Sequence, residues 1–498
     1  MYFLVFAAFA IVLSTPDGPP WPTLDNPWAT YGLVGGQVLA SAAVGAFFTR
    51  AVRGKLDRDP GWLPGAQRLF GQGSLAVRAV LAAGLASSIY LTDWVARVQA
   101  RVSAWPVIHG LDEMLVLTPF FLAILAGWIA LYPADRAIRR VLFERQLQMG
   151  IPPHPVWRLR GYLTFLFRQH VLIIAVPMIP IVVANDYVTA HAAAIRRLLR
   201  VPWGDDAMRV AAAGVVFFFA PVMLRYIWHT RVLPPCELRA KLEALCERIG
   251  LTYRRILVWE SDGMVVNAAV MGLLSPVRYV LLSDGLLEMM DDRKIEAVFG
   301  HEAGHVKHRH IQFFMLFAVL SMFMVGGLME LVMAAARHWP QYFPRRHDLN
   351  EYLKVAAVVL IVVIWAIGFG YVSRRFEWQA DLFGARSVTP PAGECDRPCL
   401  LHGTAPIEVP AGARPVCATA AILFADALHR IADLNGIPLE ARSWRHSSIA
   451  NRMRLLRAYT YAPLAADRLD RLVVIIKAVL VVGTLIGLAG AVWIYGVR

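Results

Sequence analysis

Charge is scarce in this chain. Asp, Glu, Lys and Arg make up 17% of 498 residues, against 57% apolar residues, and the mean hydropathy is +0.50. So little charge excludes an ordinary soluble globular protein and leaves a membrane protein. Cysteine is sparse too. Five thiols, an odd number, on segments expected to face the cytoplasm argue against a disulfide framework. Basic residues are missing from Met1 to Leu13 and from Ser14 to Tyr31. The first stretch is apolar but short and has no A-x-A exit, so a short span or an interfacial helix is expected rather than a cleaved signal peptide. No internal repeat is visible.

What the chain does have is apolar runs close to the length that crosses a bilayer, about 17–25 residues. They fall at 31–48, 76–93, 114–132, 170–188, 208–228, 312–336, 354–372 and 472–496. The formal charge of +14 would suggest nucleic acid in a soluble protein. Here the positive charge sits in loops, so no nucleic-acid partner is expected. Arg50, Arg53, Lys55, Arg58 and Arg68 follow one span; Arg136, Arg139, Arg140, Arg145, Arg158, Arg160 and Arg168 follow another. The positive-inside rule puts both loops in the cytoplasm. Alternation from there places 229–311 and 373–471 inside as well. Arg196, Arg197 and Arg200 then fall outside, which an interfacial helix would accommodate.

The chemistry is concentrated in His301-Glu302-Ala303-Gly304-His305. On a helix, positions i and i+4 share a face about one turn apart, so the two imidazoles can grip one zinc ion, with Glu302 beside the first as general base. The run Asp291 to Phe299 before it reads as an amphipathic helix with an acidic start. A second motif, Glu377-Trp378-Gln379-Ala380-Asp381, offers a third ligand in Glu377. Asp381, one turn on, can receive the N–H of a ligand histidine. Gly304 would let another backbone or a substrate come close. His308 and His310 do not fit the H-E-x-x-H-x-x-G-x-x-H spacing and are read as interfacial polar residues. Around the motif, a helix is expected at Glu237–Ile249, closed by Gly250. Strands are expected at Arg255–Trp259, Val265–Met271 and Arg278–Leu282, and a helix at Ala418–Leu434. The helix entering Glu377 is expected to continue the span 354–372.

H-E-A-G-H-V-K-H-R-H, S-R-R-F-E-W-Q-A-D and R-H-S-S-I-A-N-R-M together resemble the integral-membrane zinc metallopeptidases that include the CAAX prenyl endoprotease and the bacterial HtpX proteases. The resemblance covers roughly residues 235–460. It implies one zinc per chain on His301, His305 and Glu377, with Glu302 as general base. It also implies that His446 stabilises the tetrahedral intermediate and that Arg452 supports the site. Asn267-Ala268-Ala269-Val270-Met271-Gly272 matches the family's edge strand, so Asn267, Ala268 and Gly272 are expected at the substrate; an internal sheet position is an equal reading of that strand. Ser447 stands where family members usually have Pro.

The expected fold is mainly α: a polytopic membrane helix bundle with a split cytoplasmic zincin-like α+β metallopeptidase domain. Its expected parts are 1–230 (N-terminal transmembrane region), 231–311 (first catalytic part), 312–372 (helix pair), 373–471 (second catalytic part) and 472–498 (last span). The expected function is zinc-dependent endopeptidase action on peptides or membrane proteins, in quality control or processing. The expected setting is a bacterial inner membrane, with the site facing the cytoplasm. The alternatives are CAAX-type prenyl-peptide processing, a metallopeptidase-like signalling receptor, which would want a large outside domain, and a transporter with an inert site, against which Glu302 argues. Cys395, Cys399, His402 and Cys417 have the residue types of a second, structural zinc site. Their C-x-x-x-C-x-x-H spacing is loose and Cys417 is far along the chain, so a flexible loop with reduced thiols is the simpler expectation. Glu330, inside an apolar span, marks either a water-filled chamber or a polar pairing.

Overall fold

The computed structural model describes residues 1–14, 23–105, 107–148, 156–201, 203–342, 353, 356–357, 360–361, 363–405, 409, 412–441, 443 and 445–496. Most of them are helical. Among the described residues, seven helices are long and apolar enough to cross a membrane: Pro27–Leu56, Pro60–Tyr90, Leu111–Gln148, Leu159–Ala190, Gly204–Ile227, His310–His338 and Pro463–Trp493. The chain is an integral membrane protein. Positions 354, 355, 358, 359 and 362 of the span expected at 354–372 lie outside the described residues. From Trp365 the backbone makes a π-helical turn to Phe369 and runs directly into the helix Gly370–Ser387.

The chain forms two compact units. The first, Met1–Thr230 with Glu260–Met264, is a helix bundle. Its helices approach closely where side chains are small and polar. Ser41 Oγ donates to Ala123 O at 2.8 Å and Thr49 Oγ1 to Ala130 O at 2.6 Å, joining Pro27–Leu56 to Leu111–Gln148. A Cβ on Gly127 would lie 2.6 Å from Ser41 Oγ. In hydrocarbon, where apolar burial gives little drive, such contacts and interhelical hydrogen bonds hold spans together. The start of the chain is a helix, Tyr2–Ser14, whose Val5, Ala8, Phe9 and Val12 are buried in this bundle. Arg196 and Arg197 lie on a short exposed helix, Ala192–Leu199.

The second unit, Arg231–Trp259 with Val265–Arg498, carries the motifs. Its small sheet has the order β1-β2-β4-β3, with β1 Thr230–Val232, β2 Arg255–Trp259, β3 Ala268–Met271 and β4 Tyr279–Ser283. β2 and β4 are parallel and β3 is antiparallel to β4. β4 is buried throughout and β2 nearly so, which is why both read as unbroken apolar runs. β3 starts three residues later than expected. The segment before it bonds elsewhere: Val266 N donates to Asn435 Oδ1 and Asn435 Nδ2 to Val266 O. Gly272 turns the chain from β3 toward β4 at φ +103°, and a Cβ there would sit 2.3 Å from Val277 O. Only glycine fits. Arg278 fastens this turn by donating to the carbonyls of Gly272, Leu273 and Thr252.

Helices Glu237–Ile249 and Ala418–Leu434 form as expected. The last helix does not begin at 472. It runs Pro463–Gly496, so its first turns, with Asp467 and Asp470, belong to the motif-bearing region, and the expected boundary cuts a continuous helix. Glu330 lies, partly buried, on His310–His338.

Candidate metal centre

Two helices build the centre. The motif helix, Asp292–Lys307, is started by Asp291, whose Oδ1 accepts from Lys294 N at 3.0 Å, a side-chain cap that satisfies an otherwise orphaned donor. It crosses the acidic helix Gly370–Ser387 where side chains are smallest. A Cβ on Gly304 would lie 3.2 Å from Ala380 Cα, and one on Gly384 3.0 Å from His301 N. The backbone that Gly304 admits is therefore the acidic helix. This closeness brings Glu377 to the two histidines.

His301 Nε2 and His305 Nε2 are 3.3 Å apart, and each is 3.7 Å from a carboxylate oxygen of Glu377. Tetrahedral zinc with ligands at 2.0–2.2 Å has ligand–ligand edges of about 3.3–3.6 Å. The three groups fit such an ion, with the fourth corner left over.

Each imidazole has its other nitrogen taken. His301 Nδ1 lies 2.9 Å from Asp381 Oδ1, and Arg452 grips the same carboxylate with Nε at 2.9 Å and Nη2 at 2.5 Å. Burial works against protonation of His301, but Asp381 outweighs it and raises the pKa. Burial also opposes ionisation of Asp381, yet Arg452 holds its pKa low. His301 thus offers Nδ1–H to Asp381 and turns Nε2 inward.

A second relay orients His305, and it runs through residues that the sequence did not flag. Asp470 accepts from Gln379 Nε2 at 2.8 Å, so Gln379 Oε1 faces His310 Nε2 at 3.0 Å. An amide oxygen only accepts, so His310 carries its proton on Nε2. His310 Nδ1 then accepts from His305 Nδ1 at 2.9 Å, which leaves His305 Nε2 as the free lone pair. His310 is fully buried and stacked on Phe376 at 4.2 Å, not an interfacial residue. No local pattern pointed to Gln379, because positions i and i+2 on a helix, here Glu377 and Gln379, do not share a face. We predict that Gln379→Leu weakens zinc binding about 10–100-fold, the usual cost of removing such a partner, and lowers stability by about 1–3 kcal/mol, because the buried His310 Nε2–H loses its acceptor. Competition with a chromophoric chelator measures the affinity; wild-type affinity would break the relay.

The remaining residues arrange as follows. Glu302 is adjacent to His301, and burial pushes its carboxyl up to about 7. Burial also drives His305 down to about 4. Glu377 is held well below the usual range, against its burial, by His446, His305 and Arg452. His446 Nδ1 lies 2.9 Å from Glu377 Oε1, with the side chain half exposed. Its neighbour Ser447 has φ +67°, a conformation closed to the proline that the resemblance would put there. Asn267 and Ala268 lie on the sheet edge, where Asn267 N donates to Ser283 Oγ at 2.9 Å. Cys395, Cys399 and His402, close in sequence, and Cys417, fifteen residues beyond His402, converge so that one ligand atom from each lies within 4.8 Å of the others.

A histidine pair on one helix and a carboxylate on a second form a candidate metal centre of the kind zinc hydrolases use. Residues 234–398 match peptidase family M48, a family that implies zinc. The chain is 27% identical over 157 residues to "Protease HtpX homolog" of Bacteroides fragilis, covering 30% of this chain and 46% of that protein. It is 27% identical over 175 residues to the same-named protein of Pyrobaculum islandicum, covering 35% and 48%. With that of Desulforapulum autotrophicum it shares 29% over 269 residues, covering 51% and 82%. The chain spans about half the length of the first two. The crystal structure of S. mikatae Ste24p aligns with a TM-score of 0.49 at 14% identity, over 86% of this chain and 99% of that one.

Proposed function

We propose that this chain is a zinc-dependent endopeptidase that cleaves membrane-protein or peptide substrates at the cytoplasmic membrane face, in quality control or processing. One observation carries the reading: His301, His305 and Glu377 converge at tetrahedral spacing with the carboxyl-bearing Glu302 on the same helix turn. Intact Glu302 favours an enzyme over a relay or a transporter.

Bound zinc would supply Lewis-acid polarisation of the scissile carbonyl and lower the pKa of the attacking water. The chain's own groups do the rest. Glu302 takes the proton from water and passes it to the leaving amine. His446, whose Nδ1 faces Glu377, is the side chain placed to stabilise the developing oxyanion. Among the described residues β3 has a partner strand on one side only, so its other edge can pair with an extended substrate backbone. Gly272 serves this edge by making its turn. Asp381 and Arg452 fix His301. The arginine-rich loops support the cytoplasmic orientation.

The test uses the purified full chain in detergent and an unfolded membrane protein as substrate. Chelation is expected to stop cleavage and added zinc to restore it. A zinc-loaded chain that leaves the substrate intact would end the proposal.

A further inference from the structure

The loop after the acidic helix holds a second group of ligand atoms. We propose that Cys395, Cys399, His402 and Cys417 bind a second, structural zinc ion, separate from the His301–His305–Glu377 centre. The four residues each offer one ligand atom within 4.8 Å of the others. Cys395 Sγ and Cys417 Sγ are 3.7 Å apart. Zinc with sulfur at about 2.3 Å and nitrogen at about 2.0–2.1 Å has tetrahedral edges of about 3.4–3.8 Å. The same sulfur pair is far beyond the about 2.05 Å of a disulfide, and all five thiols are free.

Three further observations favour a metal over idle thiols. Cys399 and Cys417 are almost wholly buried, at 1% and 0% exposure, whereas a flexible loop would leave them in water. His402 brings a ring nitrogen within 4.8 Å of the three sulfurs, and its buried Nδ1 has no hydrogen-bond partner among the described residues. Ala418 N, in the first turn of helix Ala418–Leu434, donates to Cys399 Sγ at 3.4 Å. A backbone N–H in that place orients the sulfur by donating to it, as hydrogen bonds around metal ligands do.

Four protein ligands make a closed site, which is the structural kind. Its place in the fold gives it work. It ties the loop of Cys395 to His402 to the N-terminus of the helix whose Phe424 ring lies 5.8 Å from the His301 ring. A metal here would hold that helix against the back of the catalytic histidine. The sequence spacing hid the site because Cys417 reaches it from the far end of the loop.

The experiment counts metal in the purified full chain. Wild type is expected to hold two zinc ions per chain, Cys399→Ser/Cys417→Ser one, and His301→Ala/His305→Ala one. The Cys variant is expected to unfold at lower temperature. Should the Cys variant fail to fold, cobalt-loaded wild type decides alone: a thiolate-to-cobalt charge-transfer band is expected, and the His301→Ala/His305→Ala variant should keep it. One zinc in wild type with no such band, a second zinc retained by the Cys variant, or an intact mass showing a Cys395–Cys417 disulfide would each overturn the proposal. The band reports on thiolates only, so its outcome is separate from the fate of the endopeptidase reading.

Discussion

Glu302→Gln is expected to lower the rate of peptide hydrolysis by about 10²–10⁴-fold while zinc content stays at the wild-type level. That range is the usual worth of a positioned general acid–base group. The substitution keeps the size and shape of the side chain and removes only its ability to take and return a proton. It leaves His301, His305 and Glu377 in place, so metal binding has no reason to fall. It also removes a carboxyl from a buried, crowded position next to Glu377, so folding stability should hold or rise slightly. Steady-state cleavage of an unfolded membrane protein, beside metal analysis of the same samples, checks both halves. Equal rates in the two proteins would remove Glu302 from the reaction even if zinc proved essential.

Arg452→Met is expected to cost about 3–5 kcal/mol of stability, the range for removing one partner of a buried ion pair. Arg452 is 9% exposed, Asp381 1% and Glu377 6%. The guanidinium holds Asp381 at two atoms and lies 3.8 Å from Glu377. Without it, the Asp381 carboxylate stays buried with its guanidinium partner gone, and the acceptor that sets the tautomer of His301 is no longer held in place. The pair Lys241–Glu237 is a contrast: its side chains are 39% and 81% exposed, and water already screens such a pair to about 0–1 kcal/mol. The comparison can be sharpened with a double variant. Arg452→Met/Asp381→Asn removes the stranded charge and should be more stable than Arg452→Met alone. Thermal unfolding in detergent, with zinc present and absent, measures all three. A wild-type unfolding temperature for Arg452→Met would show that the network does not hold the site together.

Local patterns made much of this legible. H-E-x-x-H is read from i, i+4 geometry alone, Gly250 and Asp291 mark helix ends by their backbone and capping chemistry, and apolar runs mark spans by length. Helices Glu237–Ile249 and Ala418–Leu434 and strand β2 follow from periodicity and turn residues within a dozen or so positions. What escaped was non-local. The shortening of β3 depends on Asn435, which no local pattern connects to Val266. The polar relay from Asp470 to His305 joins four helices. His310, read alone, was a polar residue at the end of a span.

The sequence by itself determined the membrane character, the helix that carries the two histidines and the residue types able to bind zinc, because these rest on composition and on contacts within one or two helical turns. Only the tertiary structure decided which nitrogen each histidine turns inward, that Arg452 and Asp381 clamp one and His310 and Gln379 the other, and that four cysteine and histidine side chains meet. The physical reason is that hydrogen-bond direction and ligand convergence depend on how helices cross. Here they cross at Gly304 and Gly384, where the lack of a Cβ sets how near two backbones can come.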